Sequence, residues 1–298
     1  MTETLHPKQI PISSRYLDDE ETEEDVAMKA KLAAFMGDAG LDVDDDDSEP
    51  GEDEKPDVDV PDFLPMNSLD HVLLATNNWK EGMELFEEMT GLKPTKIGAL
   101  RGAGSKSARV RLDKNTFVEI IGPDDKNPSE GMGPTLSAMP KGKLVPFHYA
   151  IRQEKEKVVI PESENWDRDE VVMVHADPDA FDESGEVAKW DFLLLYKHGI
   201  GGAVPAFVNW RENKFHPTCR LPKTSGRISY VQVQAPSGHY VHELLDRAEG
   251  ITLHYGEPEL VVSLDTPRGE ITFSASNPKG VVMPGFGDEN HPSLRKNL

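Results

Sequence analysis

The chain has 298 residues, 54 acidic and 32 basic, for a formal charge of −22 at pH 7, a length that allows one large or two modest domains. An acidic chain without a dense Lys/Arg stripe offers no counter-charge to nucleic acid or to an anionic membrane surface, so neither is expected as a partner. One cysteine, Cys219, excludes an intrachain disulfide framework and a cysteine-based zinc ribbon; with no apolar run of about 18 residues and no leader pattern in Met1 to Arg15, a cytoplasmic setting is the expectation.

Charge divides the chain unevenly. Residues 1–66 hold 21 acidic and 5 basic residues, whereas 67–298 hold 33 and 27. Runs such as Asp18-Asp19-Glu20-Glu21 and Asp44-Asp45-Asp46-Asp47 cannot bury enough apolar surface to offset the entropy of ordering, so 1–66 reads as an acidic disordered tail. An apolar island from Val26 to Met36, stopped by Gly37, fits a short amphipathic helix, either transient or used to dock a partner.

The folded part starts near Asn67. Leu69 to Ala75 is a short apolar strand. Asn77 or Asn78 can cap a helix on which Trp79, Met83, Phe86 and Met89 recur at helical spacing, and Gly91 is its stop. Leu92 to Ile97, Ser107 to Leu112 and Thr116 to Ile121 read as three strands. A looser second unit holds strands at His148 to Arg152, Val171 to His175, Trp190 to Tyr196 and Val204 to Trp210, with a weakly helical stretch after Arg152. A third unit repeats the first order: strand Ile228 to Ala235, helix His239 to Ala248, and strands Ile251 to Tyr255, Leu260 to Leu264 and Glu270 to Ala275. No single unit can bury its own sheet face, so the units must pack together. The fold class is α+β: repeated βαβββ units (67–123, 146–211 and 226–276) forming a cupped mixed β-sheet flanked by helices within one domain, 67–276, followed by a C-terminal tail, 277–298.

These units resemble the glyoxalase-like domain family of the vicinal oxygen chelate superfamily. The resemblance rests on Leu69-Asp70-His71-Val72-Leu73-Leu74-Ala75 and Phe117-Val118-Glu119-Ile120-Ile121-Gly122-Pro123. Tyr149-Ala150-Ile151-Arg152, Pro205-Ala206-Phe207-Val208-Asn209-Trp210 and His216-Pro217 support it. It spans Leu69 to Ala275 and specifies fold more than reaction. The superfamily draws metal ligands from the first and last strands of paired units. That implies His71 and Glu119 in the first unit, and His148 with Asn209 in the second; the third offers Tyr230 and Phe273, which cannot form such a site. His71, His148 and Glu119 would hold a divalent ion such as Fe, Mn, Ni or Zn, with the neutral amide of Asn209 standing where a carboxylate is expected. The same residues also suit a metal-free pocket or a purely structural role.

Other residues border such a cup. Arg109 and Arg111 share a strand face, and a pocket-facing Arg109 or Arg152 would grip a carboxylate as a fork; paired with an arginine, Glu119 would instead be structural. The resemblance places Asn209, Trp210 and His216 along the rim. Gly102 to Ser107 lacks the glycine and helix of a phosphate loop and reads as a glycine-rich hairpin or mobile loop, which the family resemblance places near the pocket. Cys219 reads as a bystander thiol, the pair His239 and His242 as a solvated helix face, and His175 and His198 as distant pocket-edge candidates. The expected function is a small-molecule enzyme, a metal-dependent lyase, isomerase or dioxygenase acting on an oxygen-rich ligand, with Glu119 able to serve as general base. The alternative is a non-catalytic metabolite-binding protein of the same fold; a third is an interaction protein docking through its tail. Three units in one chain leave a homodimer open.

Overall fold

The computed structural model describes residues 9–11, 67–100, 103–113, 115–153, 171–176, 190–195, 199–210, 216–246 and 248–281. Gln9–Pro11, within the stretch expected to be disordered, form a strand; the expectations for the rest of the acidic tail, for the helix at 26–36, for the helical stretch after Arg152, for His198 and for 282–298 lie outside the described residues.

The first unit forms as its pattern dictates. Strand β2 (Ser68–Ala75) is buried along its whole length, as a strand covered on both faces must be. Helix α1 (Trp79–Thr90) starts at Asn78, whose side chain accepts from the Glu81 amide while Glu81 reaches back to the Asn78 amide group at 2.8 Å. The cap satisfies the open Glu81 N–H, and the Asn78 side-chain NH₂ donating to the Glu81 carboxylate holds the capping side chain in place. Gly91 ends the helix in the left-handed region (φ 74°), its N–H donating to Glu87. Strands β3 (Thr95–Leu100), β4 (Ser105–Arg111) and β5 (Phe117–Pro123) follow. β3 begins later than the apolar pattern predicts, because the Leu92 amide is held by the Thr90 hydroxyl at 3.1 Å and Leu92 itself is buried in the core. A short helix α2 (Gly133–Ser137) precedes β6 (Val145–Arg152), and the apolar pattern did not announce it.

β6 opens the second half, which continues with β7 (Val171–Ala176), β8 (Trp190–Leu195) and β9 (Ala206–Asn209). With β1 (Gln9–Pro11) at one edge, these elements make a nine-stranded mixed sheet, ordered β1-β7-β8-β9-β6-β2-β5-β4-β3. The two halves share one wiring. β2 runs parallel to β5, and β5 is antiparallel to β4, as β4 is to β3. β6 runs parallel to β9, and β9-β8-β7 are antiparallel in turn. The halves join antiparallel at β2 and β6, and the sheet curls around a concave face.

The third unit corrects an expectation. Its elements come in the predicted order: β10 (Arg227–Ala235), α3 (Val241–Leu245), β11 (Ile251–Tyr255), β12 (Glu259–Thr266) and β13 (Gly269–Ser276). They do not repeat the cup. They form a separate four-stranded sheet ordered β11-β10-β12-β13, in which β10 lies parallel to its next strand rather than its last. Periodicity reports which residues are strands, but strand partners are set by long-range pairing. This sheet covers the convex side: Val231, Val233, Leu260, Val262 and Phe273 share one core with Val72, Leu74, Val118, Tyr149 and Ile151 of the large sheet. The Phe86 ring of α1 stacks on Phe273 at 6.4 Å.

The link back to the cup is short. After β13, the Gly202 amide donates to Pro278 (2.8 Å) and the Gly280 amide to Phe147 (3.0 Å). A Cβ on Gly202 would stand 1.9 Å from the Phe147 carbonyl oxygen, so no side chain fits there.

Candidate functional site

A β-bulge builds the site. The β2–β6 register slips between Leu69 and His71, so Asp70 is the extra residue and two successive side chains reach the concave side. Leu69, Val72 and Leu74 face the convex core, while His71 and Leu73 line the cleft.

Asp70 is fully buried and gathers four donors. Its Oδ1 accepts from His71 Nδ1 at 2.7 Å. Its Oδ2 accepts from Arg152 Nε (2.9 Å), His216 Nε2 (3.0 Å) and Trp210 Nε1 (3.1 Å). Burial alone would push this carboxyl up; His216, the hydrogen bonds from His216 and His71, and the Arg152 charge outweigh it and hold the pKa well below the usual carboxylate range. His216 moves the other way. Burial, the largest effect, pushes its pKa down against the pull of Asp70. Its Nδ1 accepts from the Thr218 amide (3.3 Å) and contacts the Thr218 hydroxyl at 2.8 Å, so a neutral imidazole with Nε2–H toward Asp70 satisfies the contacts to Thr218 and Asp70. The charge that compensates Asp70 is therefore that of Arg152.

An ionised Asp70 fixes the His71 tautomer. Nδ1 carries the proton and Nε2 keeps the lone pair available to the cleft that His71 lines. The ring is clamped between Phe117, stacked at 4.5 Å, and Phe192 at 5.9 Å.

Counted with its open mouth, the cleft spans about 650 Å³. Its two walls differ. From the first half, Ser105, Ser107 and Arg109 project from β4 by the period of two, opposite Glu119 and Ile121 of β5. Arg109 Nε donates to Glu119 Oε2 at 3.2 Å, and its guanidinium lies 5.2 Å over the Phe117 ring. From the second half come Trp190, Phe192, Val208 and Trp210. Met132, Leu100 and Val281 close the ends.

The expected site residues are thus divided. His71, Arg109, Glu119 and Trp210 line the cleft. Arg152 and His216 sit beneath its wall in the Asp70 network, where Arg152 also donates to Ser68 and to the Asn115 carbonyl. Asn209 lies on β9 between the lining residues Val208 and Trp210, not among the lining. His148 pairs with Leu73 across β2–β6 and is buried, its Nδ1 accepting from the Val281 amide at 2.8 Å. Arg111 Nε donates to the Asp113 carbonyl. Cys219 is half-buried in the turn after His216, and the His242 ring lies tilted against the exposed Tyr255 at 4.5 Å. The Ala103-Gly104 turn ends the glycine-rich hairpin, and the neighbouring Ser105 and Met132 border the cleft.

The donor set does not gather as a metal centre. Among the described residues no three His, Cys, Asp or Glu side chains converge on one point. His71 Nδ1 is bound to Asp70, Glu119 to Arg109, and His148 Nδ1 to a backbone amide. The register also moves the fourth position: Ala150 pairs with Ala206 as Leu73 pairs with Glu119. A twofold that exchanges Leu73 with Ala150 therefore places Ala206, not Asn209, where the first half has Glu119.

Sequence reasoning missed Asp70, Ser107, Trp190, Phe192 and Val281. For Asp70 the signal was present, since a carboxylate inside an apolar strand must be paired.

A family model, the glyoxalase-like domain, matches residues 69–249, more than half of the chain. The chain belongs to the glyoxalase-like domain family. No curated protein matches this glyoxalase-like chain. Among solved structures it is similar to methylmalonyl-CoA epimerase from Mycobacterium tuberculosis, with 15% identity over 49% of this chain and 91% of that one (TM-score 0.33). A Streptomyces coelicolor methylmalonyl-CoA epimerase in complex with 2-nitronate-propionyl-CoA matches with 13% identity over 48% and 97% (TM-score 0.30). A variant 4-hydroxymandelate synthase from Streptomyces coelicolor matches with 12% identity over 74% and 66% (TM-score 0.37).

Proposed function

We propose that this glyoxalase-like protein is an enzyme that binds a small molecule in the concave cleft and moves a proton at His71, in isomerase or lyase chemistry. One observation carries the proposal: the buried Asp70 carboxylate holds His71 Nδ1 at 2.7 Å while the same ring lines the cleft. A carboxylate-backed imidazole is a general base with a set tautomer. Nε2 takes a proton from a carbon or hydroxyl of the ligand, the imidazolium is stabilised by Asp70, and the proton returns to a neighbouring atom. The phenyl clamp keeps the ring from rotating away. Trp210 would wall the cleft, and Arg152 and His216 would keep Asp70 charged and placed. A divalent ion on His71, His148 and Glu119 is not needed by this reading.

Two measurements test it. Carbonyl and hydroxy compounds are screened in D₂O for protein-dependent deuterium uptake by NMR, with uptake expected in wild type and absent in His71→Gln. Saturable binding without uptake across the panel would instead identify a non-catalytic metabolite-binding protein. Elemental analysis after incubation with Fe(II), Mn(II), Ni(II) and Zn(II) should show far less than one equivalent. A full equivalent lost in both His71→Ala and Glu119→Ala would overturn the metal-free reading.

A further inference from the structure

One buried hydroxyl has no use within the fold. Ser107 is 5% exposed and lines the cleft, and its Oγ has no hydrogen-bond partner among the described residues. A buried hydroxyl left without a partner is costly, and a ligand oxygen or nitrogen in the cleft would relieve that cost. Its strand neighbour Arg109 is already paired with Glu119, whose side chain is 13% exposed. The two charges cancel at the cleft wall. An anionic ligand would have to displace Glu119 from Arg109 or lie beside its carboxylate in a low-dielectric site, and both are unfavourable. Opposite stand Trp190, Phe192 and Trp210, with the Trp210 ring fixed through its N–H to Asp70.

We infer that the cleft selects uncharged, flat, largely apolar molecules carrying one hydrogen-bonding oxygen, with that oxygen on Ser107 and the apolar body against the aromatic wall. This rests on the cleft being the ligand site and names its ligand class.

Calorimetric titration with acetophenone and 2-phenylethanol as neutral probes, and benzoate and phenylacetate as anionic ones, tests the inference. The neutral members should bind about tenfold more tightly than the anions. Ser107→Ala should weaken acetophenone binding about fivefold or more, yet leave Tm unchanged or slightly raised, because it removes a hydroxyl that makes no bond in the free protein. Glu119→Gln removes the negative charge at the cleft wall and should strengthen benzoate binding about tenfold, with acetophenone changed less than about threefold. Equal or tighter benzoate binding by wild type, an unchanged acetophenone affinity in Ser107→Ala, or no saturable heat with any of the four probes would each overturn the inference. These readouts are equilibrium binding in the absence of turnover. Neutral selectivity without deuterium uptake would therefore sink the catalytic role of His71 while the ligand class stands.

Discussion

The two halves of the nine-stranded sheet share one wiring and put opposite chemistry into one cleft. β2 to β5 supply His71, Ser107, Arg109 and Glu119; β6 to β9 supply Trp190, Phe192, Val208 and Trp210. The shared wiring fixes which positions face inward but leaves open what stands there. A metal cage of the paired type needs donors from both halves. Here the second half offers Ala206 at the matching position, and a backbone amide is seated on His148. The first half became the polar wall, and the second became the surface that a ligand body lies on.

The contrast is sharpest where the halves meet. Asp70→Ala leaves Arg152 buried without its counter-charge and should cost about 3–5 kcal/mol. Glu119→Gln keeps an acceptor beside the buried Arg109 and should cost less, about 1–2 kcal/mol. Urea unfolding of both variants checks this, and equal losses would mean that Asp70 is not the hub. Next in size is Phe192→Ala, which removes one ring of the clamp around His71. It should cost about 1–2 kcal/mol, because Phe192 is only partly buried, and it should weaken aromatic probes more than aliphatic ones of equal volume. Trp210→Phe keeps an apolar wall and removes the N–H to Asp70. A fall of about 1 kcal/mol in denaturant titration is expected; no change would show that the other three donors suffice.

The smallest effect is in pH. The folded pKa of His216 lies below its unfolded value near 6.5, so the unfolded chain binds the extra proton and stability falls as pH drops below about 6.5. Asp70, also depressed, contributes stability that is present above about pH 3.9 and lost on further acidification. His216→Gln should flatten the stability profile between pH 7 and 5 and leave the more acidic decline in place. An unaltered slope would show that His216 is not the titrating group.

Much of the fold was legible because local physics wrote it. Asn78 and Gly91 mark the ends of α1, and the apolar runs mark β2, β5 and β10. Pairing was not legible: β10 to β13 carry the same order of elements as β2 to β5 but choose different partners. The site followed the same rule. His71 and Glu119 were found from their strand positions. The bulge that turns Asp70 inward adds one residue to a ladder, and the letters of a strand do not show their register. The position matching Glu119 likewise falls at Ala206 rather than Asn209, which points away from the lining between Val208 and Trp210 because successive strand residues alternate faces.

The single residue that the second sheet's chain lends to the cleft has a dynamic consequence. Val281 forms part of the wall, held by its amide on His148 and by the neighbouring Gly280 amide on Phe147. No side chain of β10 to β13 lines that wall. The cleft is thus only as closed as the anchorage of the segment leaving β13. Fraying of that segment would withdraw Val281 without disturbing the His71–Asp70 bond, so hydrogen exchange at the Val281 amide measures how often the binding site stands open.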